Sequence, residues 1–257
     1  MPKAKVNGIN IDYDIDGQGE PLVLIMGLGA TRRGWIFQKR AFRKHFQVIT
    51  FDNRGVGGSD KPSGPYTMRA MADDTIGLMD HLGVDKAHIL GLSMGGMITQ
   101  ELAINYPERV RKLVLASTIA RMNETDREQG LKELQDIGIR KVLTTKMALA
   151  FNKRLYRMVF YPLIILQVTL TRTTHGLLGQ MEAVFGHDTV DRLQMIGVPT
   201  LVIAGTEDRT LAPSYSDALA DGIPNSKLVK VEGGSHVLGI EMRGRFNKEV
   251  LDFLSGD

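Results

Sequence analysis

What most constrains the fold of this chain is an alternation of short apolar runs with segments of helical spacing. Residues 21–26 (PLVLIM), 46–51 (FQVITF), 88–90 (HIL), 112–116 (KLVLA), 200–204 (TLVIA) and 227–231 (KLVKV) are mostly unbroken apolar runs, the pattern of strands covered on both faces. Helical periodicity occupies residues 67–82, 95–105, 214–221 and 246–254. Such alternation requires crossover connections, hence a parallel sheet with helices on both faces. Near the start, residues 4–6 and 9–16 flank Asn7-Gly8, a pair that tolerates positive φ and suits a tight hairpin. The predicted class is α/β, with a mostly parallel sheet opened by antiparallel strands.

The rhythm breaks between Arg121 and Met195, where helical patterns with Gly and Pro interruptions replace the strands. A stretch this long is not an unstructured loop in a compact domain. The organisation read from the sequence is therefore a core of residues 1–120 and 196–257 with a helical cap at 121–195. At 257 residues, 43% hydrophobic and 24% charged, the chain can bury a substantial core.

Composition excludes several chemistries. The absence of cysteine removes disulfides, thiolate metal sites and cysteine nucleophiles, and no metal or other cofactor is expected. A net charge of +3 is too mild to indicate nucleic acid, and no finger spacing or aromatic–basic interleaving adds to it. The apolar residues 158–170 fall short of the roughly 20 needed to span a bilayer, so no stable membrane insertion is expected. Without an apolar leader at the N-terminus, the expected location is cytoplasmic.

Chemistry is concentrated at Gly91-Leu92-Ser93-Met94-Gly95-Gly96. In a chain with 28 glycines a G-x-S-x-G match alone is weak, but an apolar strand precedes this one and a helix follows it. A strand-to-helix turn so sharp forces neighbouring side chains together, so the residues two before and two after the serine must be small; here both are glycine. Ser93 is thereby held out as a nucleophile, with the backbone N–H of Met94 at the helix start facing a developing oxyanion.

A serine hydroxyl needs a base near neutral pH, and histidine titrates in the right range. Of six histidines, His81 and His88 belong to a helix end and a strand, His45 precedes a strand, and His175 and His187 lie in the insertion. His236 alone follows the last strand, in a Gly-rich loop that can deliver its ring to the elbow; the alternative is a surface histidine. The orienting carboxylate is Asp208 or Glu207, in the loop after TLVIA; the loop after KLVLA has no carboxylate before Glu124. Trp35, the single tryptophan, packs beneath the loop after the first core strand or lines an acyl pocket.

The whole pattern resembles the α/β-hydrolase superfamily over residues 6–120 and 193–257. Asp52-Asn53-Arg54-Gly55-Val56-Gly57-Gly58-Ser59 looks like the family's turn after its fourth strand, a bracing segment. Leu82-Gly83 with residues 88–96 is similar to the carboxylesterase and enol-lactonase branch. The resemblance implies Asp208 as the acid in the chain order Ser93, Asp208, His236, and Leu28 as the second oxyanion N–H. Family members commonly carry His-Gly-x-Gly where this chain has Met26-Gly27-Leu28-Gly29, which leaves open how the loop is braced. An aspartate at the elbow would indicate a dehalogenase or epoxide hydrolase; Ser93 speaks for esters. The implied activity is that of a carboxylesterase acting on a small-molecule ester, with thioesterase or lactonase, or a non-catalytic binding protein of this fold, as alternatives.

Residues 137–181 hold seven cations (Arg140, Lys141, Lys146, Lys153, Arg154, Arg157, Arg172) and no Asp or Glu. Three readings fit: a solvated basic face; an anionic ligand such as an acyl thioester of coenzyme A, bound through Arg154 and Arg157; or contact with an anionic membrane.

Overall fold

The computed structural model describes residues 2–170 and 174–256. Eight strands form one sheet: β1 (Lys3–Val6), β2 (Ile9–Asp16), β3 (Pro21–Ile25), β4 (Gln47–Phe51), β5 (Ala87–Leu92), β6 (Val110–Ala116), β7 (Thr200–Gly205) and β8 (Ser226–Val231). Their spatial order is β1-β2-β4-β3-β5-β6-β7-β8. β2 runs antiparallel to both β1 and β4, and every later pairing is parallel. The opening turn places Asn7 at φ 47° and Gly8 at φ 79°, the positive values that a tight hairpin demands.

Alternate residues of the central strands go to opposite layers, as a pleat requires. Val23, Ile25, Ile49, Ile89, Leu113, Leu115 and Val202 join the core beneath α2 (Met68–His81), α3 (Met94–Asn105) and α7 (Ser214–Gly222). Leu22, Leu24, Val48, Leu90, Val114, Leu201 and Ile203 point the other way, under α1 (Ile36–Phe42) and α9 (Arg243–Ser255), with the short α8 (Leu238–Glu241) leading into α9. At about 1.5–3 kcal/mol for each fully buried large apolar side chain, these two layers hold the sheet rigid. The α1 helix has no counterpart in the sequence reading; its one-turn lead-in at Arg32–Trp35 and exposed Ile36 blur the helical period.

The chain leaves β3 toward β4 on one side and returns to β5 on the other. Such a reversal, at the carboxyl ends of the strands, is where open α/β sheets bind ligands.

Between β6 and β7 lie α4 (Glu124–Leu149), α5 (Arg154–Leu170) and α6 (His175–Phe185). Asn123 caps α4 by accepting the Asp126 N–H, and Gly138, at φ 72°, breaks it. Ile139, Val142 and Leu143 of α4 pack with Leu177 and Met181 of α6 over Val56 and Leu28, so the inserted helices rest on the loops after β4 and β3. Among the described residues no helix is long and apolar enough to cross a membrane.

Candidate active site

Ser93 ends β5 and opens α3 with φ 56° and ψ −121°, a conformation that costs a non-glycine residue about 1–3 kcal/mol. The surroundings hold it there: its N–H donates to Ala116 O (2.9 Å), and its carbonyl accepts from the Thr118 hydroxyl (2.7 Å) and from Gly96 N (2.8 Å). The flanking glycines are steric requirements. A Cβ on Gly91 would lie 2.3 Å from Gly95 O, and one on Gly95 would lie 2.1 Å from Ile25 O.

The loop after β3 passes directly beside this turn, since a Cβ on Gly27 would stand 3.2 Å from that of Ser93. Among the described residues the backbone N–H groups of Leu28 and Met94 have no protein acceptor. Met94 is the first residue of α3, where helix geometry leaves the donor free. Two such donors, on adjoining loops, suit an anionic oxygen.

Asp208 and His236 meet from the loops after β7 and β8. His236 Nδ1 donates to Asp208 Oδ2 at 2.7 Å, with side chains only 4% and 2% exposed. The other carboxylate oxygen accepts the N–H groups of Thr210 (2.7 Å) and Leu211 (2.9 Å). Since an ionised carboxylate only accepts, the proton sits on Nδ1 and Nε2 is left as a base. The two loops are zipped together: Glu207 N donates to Gly234 O (2.9 Å) and Thr206 N to Val231 O (3.0 Å), while a Cβ on Gly205 would strike Gly234 O at 2.1 Å. Glu207 points away, exposed, with Asn152 as its partner. Ser93, Asp208 and His236 all leave the same carboxyl edge of the sheet. Among the described residues Ser93 Oγ has no hydrogen-bond partner; a bond from a serine nucleophile to a base often closes only around bound substrate.

The missing family histidine is replaced by other braces. Asn53 Nδ2 donates to Met26 O (3.0 Å), and buried Arg32 pairs with Asp52 (2.9 Å) and Asp12 (3.2 Å). Arg54 binds Asp74 through two hydrogen bonds of 2.6 and 2.7 Å. Fully buried Gln180, on α6, accepts the Gly29 N–H (2.9 Å) and donates to Arg54 O (2.7 Å). No sequence signal marks Gln180, because its partners lie 151 and 126 positions away. Gln180→Ala is expected to cost about 1–3 kcal/mol through loss of both buried bonds and, by loosening the Leu28 donor, to lower kcat more than it raises KM; urea unfolding and steady-state kinetics check both.

Trp35 is 2% exposed in the core with α1 and α9. Arg154 and Arg157 stand elsewhere, on a cleft of about 660 Å³ with Ala148, Met158, Tyr161 and Pro162; none of Ser93, Asp208 and His236 lines it. Arg172 is outside the described residues.

The other histidines have structural surroundings. His88 is buried and bonded to Glu20 (3.2 Å), and His175 bonds Lys61 O (2.7 Å). Burial pushes His187 down to about 4, with Glu101 opposing and Arg192 assisting. A folded pKa below the unfolded value of about 6.5 means the unfolded chain binds more protons between those values, so stability falls as pH drops through that window. A loss of about 2 kcal/mol between pH 7.5 and 5 is expected from this group, read as a lower urea midpoint that His187→Gln makes less pH-dependent.

Residues 20–136 match the family profile of the alpha/beta hydrolase fold. The chain is 32% identical to RutD of Azorhizobium caulinodans, a carbamate hydrolase by name, over 98% of both chains. It is 31% identical to 3-oxoadipate enol-lactonase 2 of Acinetobacter baylyi, covering 94% of this chain and 92% of that one. The crystal structure of the enol-lactonase from Burkholderia xenovorans LB400 superposes with a TM-score of 0.91 at 32% identity, covering 99% of this chain and 100% of that one. Sheet order, elbow and similarity along the whole length agree, and the chain belongs to the α/β-hydrolase family as a hydrolase.

Proposed function

We propose that this hydrolase cleaves carboxylic esters through an acyl-enzyme on Ser93. The observation that carries the reading is the closed Asp208–His236 pair at the same sheet edge as a strained serine. His236 Nε2 takes the hydroxyl proton as Ser93 Oγ attacks the carbonyl carbon, and the N–H groups of Leu28 and Met94 receive the oxyanion. The tetrahedral intermediate collapses, the alcohol leaves with the proton from His236, and an ester to Ser93 remains. Water, deprotonated by the same ring, attacks that ester; Ser93 regains its proton and the acid departs.

In this reading the inserted helices act as a cap. They touch the machinery on both sides: Gln180 holds the Leu28 loop, and Asn152 Nδ2 donates to the carbonyl of Glu207, the neighbour of Asp208 (2.9 Å). A second reading, a cyclic ester as substrate, is favoured by the enol-lactonases among the relatives; in it the leaving alcohol stays tethered to the acyl group.

The test is one panel of aryl esters of rising chain length, lactones, acyl thioesters and aryl carbamates. Turnover of aryl esters with a stoichiometric burst of the leaving alcohol, or turnover of lactones to the ring-opened hydroxy acid, is the expected result. Exclusive turnover of carbamates or thioesters would reassign the substrate, and no turnover of any member would return the fold to a binding role.

A further inference from the structure

We propose that α5 docks this protein on the surface of a bilayer bearing anionic lipids. This inference is independent of the proposed activity. Leu155, Met158, Val159, Leu163 and Leu166 are 51% to 68% exposed, and their spacing places them in one stripe along three turns of the helix. The stripe cannot turn inward, because the opposite face is already committed. Phe160 stacks on Phe151 and Tyr156 and meets Phe37 edge-on, and Tyr156 accepts a 2.7 Å hydrogen bond from Arg243 Nη1. A fold that anchors one apolar face of a helix and leaves a second one in water marks an interaction surface.

Charge identifies the occupant. Arg154 and Arg157 share a cleft with Met158 of the stripe, both exposed and without a carboxylate partner among the described residues. Residues 137–181 carry seven cations and no Asp or Glu; subtracting those seven from the net +3 leaves −4 for the rest of the chain. The segment that contains α5 is therefore positive against a negative remainder, and Arg154 and Arg157 lie on the helix that carries the stripe. An amphipathic helix with Leu and Met on one side and arginines beside them lies in the plane of a headgroup layer, apolar face toward the acyl boundary. A second copy of the chain fits less well, since a two-fold contact sets each stripe and its arginines against the same arginines of the other. Coenzyme A, suggested by the charge alone, would neutralise Arg154 and Arg157 and leave most of the stripe bare.

The experiment is co-sedimentation of the full chain with vesicles of phosphatidylcholine alone or with one-third phosphatidylglycerol, at low and high salt. Binding is expected to the mixed vesicles at low salt, weak on phosphatidylcholine, and reduced by salt. Arg154→Ala with Arg157→Ala should lower partitioning about thirtyfold. Leu155→Gln with Leu163→Gln should lower it on the mixed vesicles as well. Both pairs replace exposed side chains, so unchanged thermal melts are expected. No binding to mixed vesicles at low salt overturns the proposal, as does equal binding to both compositions or an arginine pair variant that binds like the wild type. Light scattering and calorimetry with coenzyme A give the rival outcomes: a dimer dispersed by the leucine pair, or a nucleotide titration lost with the arginine pair, each without vesicle binding, reassigns the surface.

Discussion

A Ser93→Ala protein is expected to fold like the wild type and to lose ester turnover by about a millionfold, the scale set by removal of the nucleophile in a comparable serine hydrolase. The reason is that the side chain and the backbone of Ser93 have separate duties. The backbone carries the architecture, through the bonds of its N–H to Ala116 and of its carbonyl to Thr118 and Gly96, and alanine keeps all of these. Among the described residues the Oγ has no hydrogen-bond partner, so its loss strands no buried group there. Alanine at φ 56° bears much the same backbone strain as serine, and its Cβ meets Gly27 no more closely. The measurement is turnover of an aryl ester beside a thermal melt. Near-wild-type turnover from a variant that melts normally would overturn the acyl-enzyme reading.

The elbow was legible in the sequence because its constraint falls on two fixed positions. A Cβ on Gly91 would strike Gly95 and one on Gly95 would strike the end of β3, and the chain writes both exclusions as two glycines at a fixed interval. The parallel sheet was legible for a similar reason: strands buried on both faces, such as residues 21–25, become continuous apolar runs. Bracing of the loop after β3 was not. It comes from Asn53 and Gln180, polar residues of unremarkable type whose meaning lies in what the fold brings to them. A missing histidine in a motif thus says little about the loop's rigidity when a helix far along the chain supplies the bond.

The inserted helices resisted reading for a different reason. Periodicity finds a helix by assuming that apolar residues face the core, yet α5 is apolar on both sides. Tyr156 and Phe160 face Phe151 and Phe37, whereas Leu155, Met158 and Leu163 face out. Gly138 and Pro162 announce breaks but not directions: the first interrupts α4 at positive φ, the second is accommodated inside α5. The extent of helix between β6 and β7 could be inferred, but not which stripe was turned to solvent.

Asp208→Asn is expected to reduce kcat by about ten-thousandfold, whereas Glu207→Gln should leave it within a few fold. Adjacent carboxylates in one loop are equivalent on paper, and the fold separates them completely. Asp208 is buried with one oxygen on His236 Nδ1 and the other on two backbone N–H groups, so its charge is fixed against the ring. Asparagine there keeps the shape, but its amide can present N–H to Nδ1. That stabilises the tautomer with the proton on Nε2, the atom that must accept from Ser93, and withdraws the charge that stabilises the imidazolium. The Glu207 carboxylate is exposed, with Asn152 as its partner among the described residues, and screening by water leaves an exposed contact of this kind little influence on a buried ring. The pH profile adds a second readout: raising the pH should not restore the Asp208→Asn enzyme to wild-type turnover, because a misplaced proton on a neutral ring is not removed in that range. Steady-state kinetics of the two variants across pH decide the matter, and a Glu207→Gln enzyme more impaired than Asp208→Asn would exchange the roles of the two carboxylates.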